Sequence, residues 1–356
     1  MRRIKNIALR VNDVLDRAKD DAVFPGYAAA LIVDDQYEII TSGRFTFEPE
    51  SAEITADSVY DVASLTKAIP VSCCALKLVE QKKLALDDLL ISYVPQFSGS
   101  FRGQITIHHL LTHTLDSDLR LSMCKDDHPD VLLGKILNLQ LRTRPGERFN
   151  YSNATSILLG LVLESCTGKT LDVLGDEFFF KPLGMNRTGF SPMKFATLNE
   201  IVPTEVDSWR GGIVIGQVHD ESAWKLLPRV AGSAGLFSTI TDITLFIRKL
   251  LDSFITDDGL FTKQIAAEIV TNQIDTCTGQ CTGLGWELNQ ESYMGGFRTE
   301  VAFGKTGFTG CSIVADPGKM CAGVLLSNHI YPHRRDSRVQ INRIRSLFAD
   351  CIFSGS

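Results

Sequence analysis

Ser64 and Lys67 stand three residues apart in the stretch Tyr60-Asp61-Val62-Ala63-Ser64-Leu65-Thr66-Lys67. From Leu65 through Val79 the chain is rich in helix formers, interrupted by Pro70, which predicts one long helix with both residues in its first turn. At i, i+3 spacing two side chains on a helix are neighbours, roughly 5–6 Å apart at Cβ. The free N–H groups and positive dipole end of that turn favour an oxyanion forming beside Ser64. A lysine with its ordinary pKa of about 10.4 is a poor base, so Lys67 needs burial or a cationic neighbour to act. A hydroxyl activated by an adjacent amine is what a Ser-Lys acylating hydrolase requires.

The spacing alone carries little, because it recurs at Ser122/Lys125, Ser191/Lys194 and Ser222/Lys225 in loop-like surroundings. Two companions single out Ser64. Tyr151-Ser152-Asn153 is the one Tyr-x-Asn of the chain and sits at a helix entrance. A tyrosine of lowered pKa can take the Ser64 proton, and the Asn153 amide can orient the lysine or a substrate carbonyl. Lys305-Thr306-Gly307 closes a predicted strand, where the glycine admits close approach of a substrate and the lysine can hold a carboxylate.

The elements that must position these residues divide by type. Tyr27 to Val33 and Glu38 to Thr41 predict a hairpin around Asp34-Asp35-Gln36, after a polar-faced helix at 3–20. Helices are predicted at 84–90, at 105–113 behind Thr106, from Ala154 to Cys166 with Gly168 closing, at 170–180, and from a Thr241 cap to Leu251. Residues 191–235 read as mostly irregular. Strands return at 284–288, 301–304, 312–315 and 321–327, and a last helix runs from Arg334 to Phe353. The economical arrangement is an antiparallel α/β sheet domain from 1–75 and 280–356, with a mainly helical domain, 76–279, inserted. The cleft between them is the natural site.

Ser64/Lys67, Tyr151/Asn153 and Lys305/Thr306/Gly307, in this order, resemble the penicillin-recognising serine hydrolases, and Tyr-x-Asn resembles their class C β-lactamase-like branch of esterases and D-alanyl-D-alanine peptidases. Leu110-Leu111-Thr112-His113-Thr114, Pro145 through Asn153, Pro182-Leu183-Gly184-Met185, Ala234 through Ser238 and Gly307-Phe308-Thr309-Gly310 extend the resemblance over roughly residues 20–350. It implies the β-lactamase/transpeptidase-like fold, Ser64 as nucleophile, Lys67 as its activating partner and Tyr151 as base and acid. Asn153 would support Lys67 or the substrate. Lys305 and Thr306 would lie near a substrate carboxylate, with the N–H groups of Ser64 and Phe308 as oxyanion hole. Three departures are visible: Leu115-Asp116 follows His113-Thr114, Ser233 stands where relatives often carry histidine, and Phe308 replaces a small polar residue. Hydrolysis of a small ester, amide or D-amino-acid peptide is therefore expected before antibiotic hydrolysis. The alternatives are a D,D-carboxypeptidase or β-lactamase with true penicillin recognition, and a catalytically silent binding or regulatory protein.

The bulk numbers exclude other classes. A net charge of −6 disfavours nucleic-acid binding. The Arg334, Arg335, Arg338, Arg343, Arg345 series reads as a solvated basic face. No run of about 18 apolar residues predicts a membrane span. The basic N-terminus leads into an amphipathic pattern rather than a signal-peptide core. Nine cysteines, an odd and scattered set, suit buried thiols in a reducing compartment, so a cytoplasmic enzyme is expected. Gly168-Lys169-Thr170 and Gly304-Lys305-Thr306 lack the earlier P-loop glycine, with Leu163 and Thr299 in its place. Ala231-Gly232-Ser233-Ala234-Gly235 misses the first glycine of a nucleophile elbow. His109/His113 lack a zincin glutamate and Cys277/Cys281 lack metal-site partners, so no metal and no cofactor is expected. The partner expected is a small-molecule or short-peptide substrate. His219-Asp220-Glu221 fits a cleft wall or a solvated turn.

Overall fold

A computed structural model describes residues 2–274, 280–334 and 338–355. Cys277 and Arg335 lie outside these residues. Six strands form one antiparallel sheet: β1 (Gly26–Val33), β2 (Gln36–Gly43), β3 (Glu287–Leu288), β4 (Phe303–Thr306), β5 (Ser312–Asp316) and β6 (Cys321–Ser327), in the order β2-β1-β6-β5-β4-β3. The last strand thus lies beside the first, with Tyr27 opposite Ser327 and Val33 opposite Cys321.

All eight residues of β1 are buried, because the sheet is covered on both faces. Tyr27, Ala29, Leu31 and Val33 face one apolar cluster with residues of α1 (Arg2–Asp20) and of a closing helix, Arg338–Phe353. Ala28, Ala30 and Ile32 point the other way, into a larger cluster shared with the helical part of the chain. That part holds α2 (Cys73–Glu80), α3 (Ile107–Leu111), α4 (Asn153–Thr167) and α5 (Ile240–Asp252), so the closing helix is α6. From within the 76–279 segment, α5 packs on β1 and β6.

Several local expectations are revised. The long helix after Ser64 is interrupted: Lys67–Ser72 form a widened π-type turn, and Ile69 is extended at φ −114°, ψ 114°. Proline disfavours the helical region for the residue before it, so Pro70 acts on Ile69 more strongly than composition suggests. The helix predicted at 84–90 is instead the short Leu90–Tyr93 turn. Thr239, not Thr241, caps α5, its hydroxyl accepting the Asp242 N–H. Residues 191–235 contain a two-stranded ribbon, Glu205–Asp207 with Gly212–Val214, and a helix at Glu221–Lys225. The basic series is a solvated face except at one member: Arg334, Arg338 and Arg343 are exposed, Arg334 pairing with Glu205 and Glu221, whereas Arg345 is only 5 % exposed. Thr106 and Gly168 behave as predicted, capping α3 and α4. Among the described residues no helix is long and apolar enough to cross a membrane.

Candidate active site

Ser64 sits in the turn entering the interrupted helix. Ala63 before it has φ 48°, an uncommon left-handed conformation for a residue with a side chain. Asp61 holds that turn, its Oδ1 accepting the Ala63 N–H at 2.8 Å and its Oδ2 the His219 N–H at 2.6 Å. Burial pushes the Asp61 carboxyl up to about 6, and those two backbone bonds pull against the shift.

Lys67 is buried, and its Nζ donates to Ser64 Oγ at 2.9 Å and to the Ser233 carbonyl at 2.7 Å. The Ala231–Gly235 stretch thus supplies a backbone acceptor rather than a nucleophile. Gly232 permits this approach: a Cβ there would stand 2.2 Å from the Ser156 carbonyl of α4.

Tyr151 enters from the segment before α4, whose Ser152 hydroxyl caps the helix through the Ala154 N–H. Its ring centroid is 5.1 Å from Lys67 Nζ and 4.5 Å from Lys305 Nζ. His113 packs against the same ring at 4.9 Å. The residue is 37 % exposed overall, while its hydroxyl end is the enclosed part. Burial raises the phenol, but the two ammonium groups outweigh burial and Glu287, and the Ser64 hydroxyl assists, leaving it below its ordinary value of 10. Burial, then Lys305 and Lys67, hold His113 well below the usual imidazole range, so it meets Tyr151 as a neutral ring.

Lys305 is also buried, with Nζ 2.9 Å from Glu287 Oε1. Burial opposes its charge, and Glu287 and Tyr151 more than restore it, raising its pKa. Gly307 lies against the nucleophile turn, where a Cβ would be 2.6 Å from the Val62 carbonyl. Thr309 Oγ1 donates to the Asp61 carbonyl at 2.9 Å, fastening the same two segments together. Among the described residues neither the Ser64 nor the Phe308 backbone N–H has a protein acceptor. Thr306 ends β4 beside Gly307. The Phe308 ring is exposed, stacked on His219 at 5.7 Å with Arg334 above it at 5.6 Å.

The Asn153 amide bonds Asp220 rather than Lys67: its Nδ2 donates to Asp220 Oδ2 at 2.8 Å. Both line an open polar cavity of about 440 Å³ with Tyr151, Ser117, Arg120 and Glu221. The Asp116 departure has a structural use here. Asp116 is buried, bound by Arg142 and by Asn150 Nδ2, and Asn150 also donates to the Ser117 carbonyl at 2.6 Å, tying the 115–120 loop to the Tyr151 segment. His219 is buried and its pKa is lowered to about 3 by burial and by Arg334 and Arg210. The His219-Asp220-Glu221 run therefore borders the cleft. Sequence reasoning missed Glu287, Asp61 and the Ser233 carbonyl; Glu287 alone left a signal, as a charge between Trp286 and Leu288 in a predicted strand.

The arrangement can do acyl-transfer chemistry: a hydroxyl paired with a buried amine, an acidified phenol beside it, and two free N–H groups on adjoining segments. Comparisons with known proteins agree with that chemistry. A family model described as Beta-lactamase matches residues 11–345. A protein of Escherichia coli O157:H7, provisionally named D-alanyl-D-alanine carboxypeptidase, is 30 % identical over 351 residues, covering 88 % of this chain and 80 % of the relative. Its counterpart in Escherichia coli K12 is 30 % identical over 315 residues, 80 % of this chain and 71 % of its own. Among solved structures, EstCE1, described as a hydrolase with promiscuous acyltransferase activity, superposes with a TM-score of 0.78 at 20 % identity over 98 % of this chain and 99 % of that one. A class C beta-lactamase mutant gives 0.76 at 17 %, covering 98 % of each chain. An octameric penicillin-binding protein homologue from Pyrococcus abyssi gives 0.77 at 21 %, over 98 % of this chain and 78 % of its own.

Proposed function

The chain belongs to the beta-lactamase family of serine hydrolases, and on that premise we propose that it works through an acyl-enzyme on Ser64, taking small esters, amides or D-amino-acid peptides. Tyr151 takes the Ser64 proton as Oγ attacks the acyl carbonyl, while Lys67 fixes the hydroxyl. The oxyanion is received by the N–H groups of Ser64 and Phe308. Tyr151 then protonates the leaving group, and a water repeats the sequence to release the acid. The observation that carries this reading is the 2.9 Å Lys67–Ser64 contact beside a tyrosine acidified by two ammonium groups.

The carboxypeptidase reading rests on the name of the curated relatives and on Lys305 as a carboxylate anchor. Glu287 already occupies that lysine at 2.9 Å, and Arg334 is held by two glutamates. A substrate carboxylate would have to displace a partner already in place, which favours substrates uncharged at that end. The eight cysteines among the described residues are all free thiols, and that supports a cytoplasmic setting.

Intact-protein mass spectrometry after exposure to a fluorophosphonate, a penicillin and a p-nitrophenyl ester tests the reading, with Ser64→Ala as control. The expected result is a Ser64-dependent adduct with ester turnover. Faster cleavage of a peptide ending in D-alanyl-D-alanine than of its terminal amide would move the enzyme to the carboxypeptidases. No adduct and no turnover by folded protein would overturn the acyl-enzyme and leave a binding protein.

A further inference from the structure

Arg345 lies on α6, behind the segment that carries Phe308, and is nearly inaccessible to solvent. Its Nη2 donates to two backbone carbonyls, Gly307 and Cys311, at 2.9 Å each, and Nη1 donates to Asn342 Oδ1 at 2.9 Å. Among the described residues no carboxylate forms an ion pair with it. A guanidinium buried among carbonyls without a counter-ion is costly, and such a group persists where its field or its geometry is used. Burial lowers its pKa to about 10, so it stays charged at neutral pH; Cys311, Tyr293 and Glu287 oppose that shift and Arg338 assists it.

The Gly307 carbonyl and the Phe308 N–H are the two ends of one peptide plane, which is absent from the cis bonds of the chain and is therefore trans. In a trans peptide the two groups point in opposite directions. Fixing the carbonyl toward Arg345 therefore aims the N–H away from α6, while Gly307 itself packs against the Val62 carbonyl of the nucleophile turn. A charged donor on the oxygen also polarises the amide and strengthens its N–H as a donor. We propose that Arg345 is the positioning residue of the oxyanion site, orienting and polarising the Gly307–Phe308 peptide from behind. This rests on the Ser64 acyl-enzyme reading. It assigns α6 a part in transition-state stabilisation without contact with substrate.

The test compares wild type, Arg345→Gln and Arg345→Lys in ester turnover, in acylation rate by mass spectrometry, and in affinity for a boronic acid that mimics the tetrahedral intermediate. Loss of one complete oxyanion donor typically costs about 10²–10³ in rate, so misaiming one is expected to lower kcat by about tenfold to a hundredfold. KM should stay within about twofold, and boronate affinity should fall in proportion to kcat. Arg345→Lys, which keeps the charge and one donor, should recover part of both. If Arg345→Gln does not fold, folded Arg345→Lys carries the comparison, with the same proportional loss in kcat and boronate affinity expected on a smaller scale. Folded variants with unchanged kcat and boronate affinity, or a change confined to KM, would overturn the proposal while leaving the acyl-enzyme intact. A wild type that forms no Ser64 adduct would overturn both.

Discussion

The field that acidifies Tyr151 has two sources at nearly equal distance, Lys67 and Lys305, and this sets a pH signature. A phenol acting as base works in its deprotonated form, so kcat/KM should rise with pH through its pKa and level off above it. Because the ammonium groups favour the phenolate, the rising limb should lie below 10. Tyr151→Phe should remove the limb and lower kcat/KM by about 10²–10⁴, and Lys305→Met should move the limb to higher pH; a pH-rate profile of ester hydrolysis reads both. Ser64, Lys67, Tyr151 and Lys305 were legible in the chain because motif spacing is local. Their supports were not. Lys67 meets Ser233 166 residues on, and Arg345 meets Gly307 38 residues back. No local pattern states which carbonyl a buried cation will find. Arg345, read as a solvated charge from its basic neighbours, shows that composition along a helix does not reveal which face the sheet will cover.

At the scale of elements, one tight crossing fixes the site. The Ala231–Gly235 segment runs over α4 where Gly232 meets Gly160, and a Cβ added at Gly232 would come 2.2 Å from the Ser156 carbonyl. Gly232→Ala must push the segment outward, taking the Ser233 carbonyl away from Lys67. The expected result is about 1–3 kcal/mol of destabilisation in urea unfolding together with a loss of ester turnover. Stability lost with full turnover retained would separate the crossing from the chemistry. The sequence showed this stretch only as a failed nucleophile elbow, since the partner that makes its glycine necessary lies in another element. Strands were read more faithfully than helix ends. A short, continuous apolar run marks a strand along its whole length, as in the wholly buried Cys321–Ser327, whereas a helix end turns on one hydroxyl, Thr239 rather than Thr241.

At the scale of the molecule, the larger apolar cluster runs without interruption from one face of the sheet, through α5 and the Ser64 helix, to α4. A core shared in this way predicts one cooperative unfolding transition despite the length of the chain. Far-UV circular dichroism should coincide with tryptophan fluorescence, which reports Trp286 beside the sheet and the Trp209–Trp224 pair in the 191–235 region. Separate midpoints would show the helical segment melting alone. The strand order has a consequence for the making of the protein. β1 pairs on one side with β2, completed at once, and on the other with β6, which leaves the ribosome only after the whole 76–279 segment. Until β6 emerges, the fully apolar Tyr27–Val33 edge has no neighbour on that side, the condition under which nascent chains stick to one another. Premature termination before Cys321 would therefore release a chain with an open sheet and no α6 to cover it, and its fate would rest with chaperones and proteases.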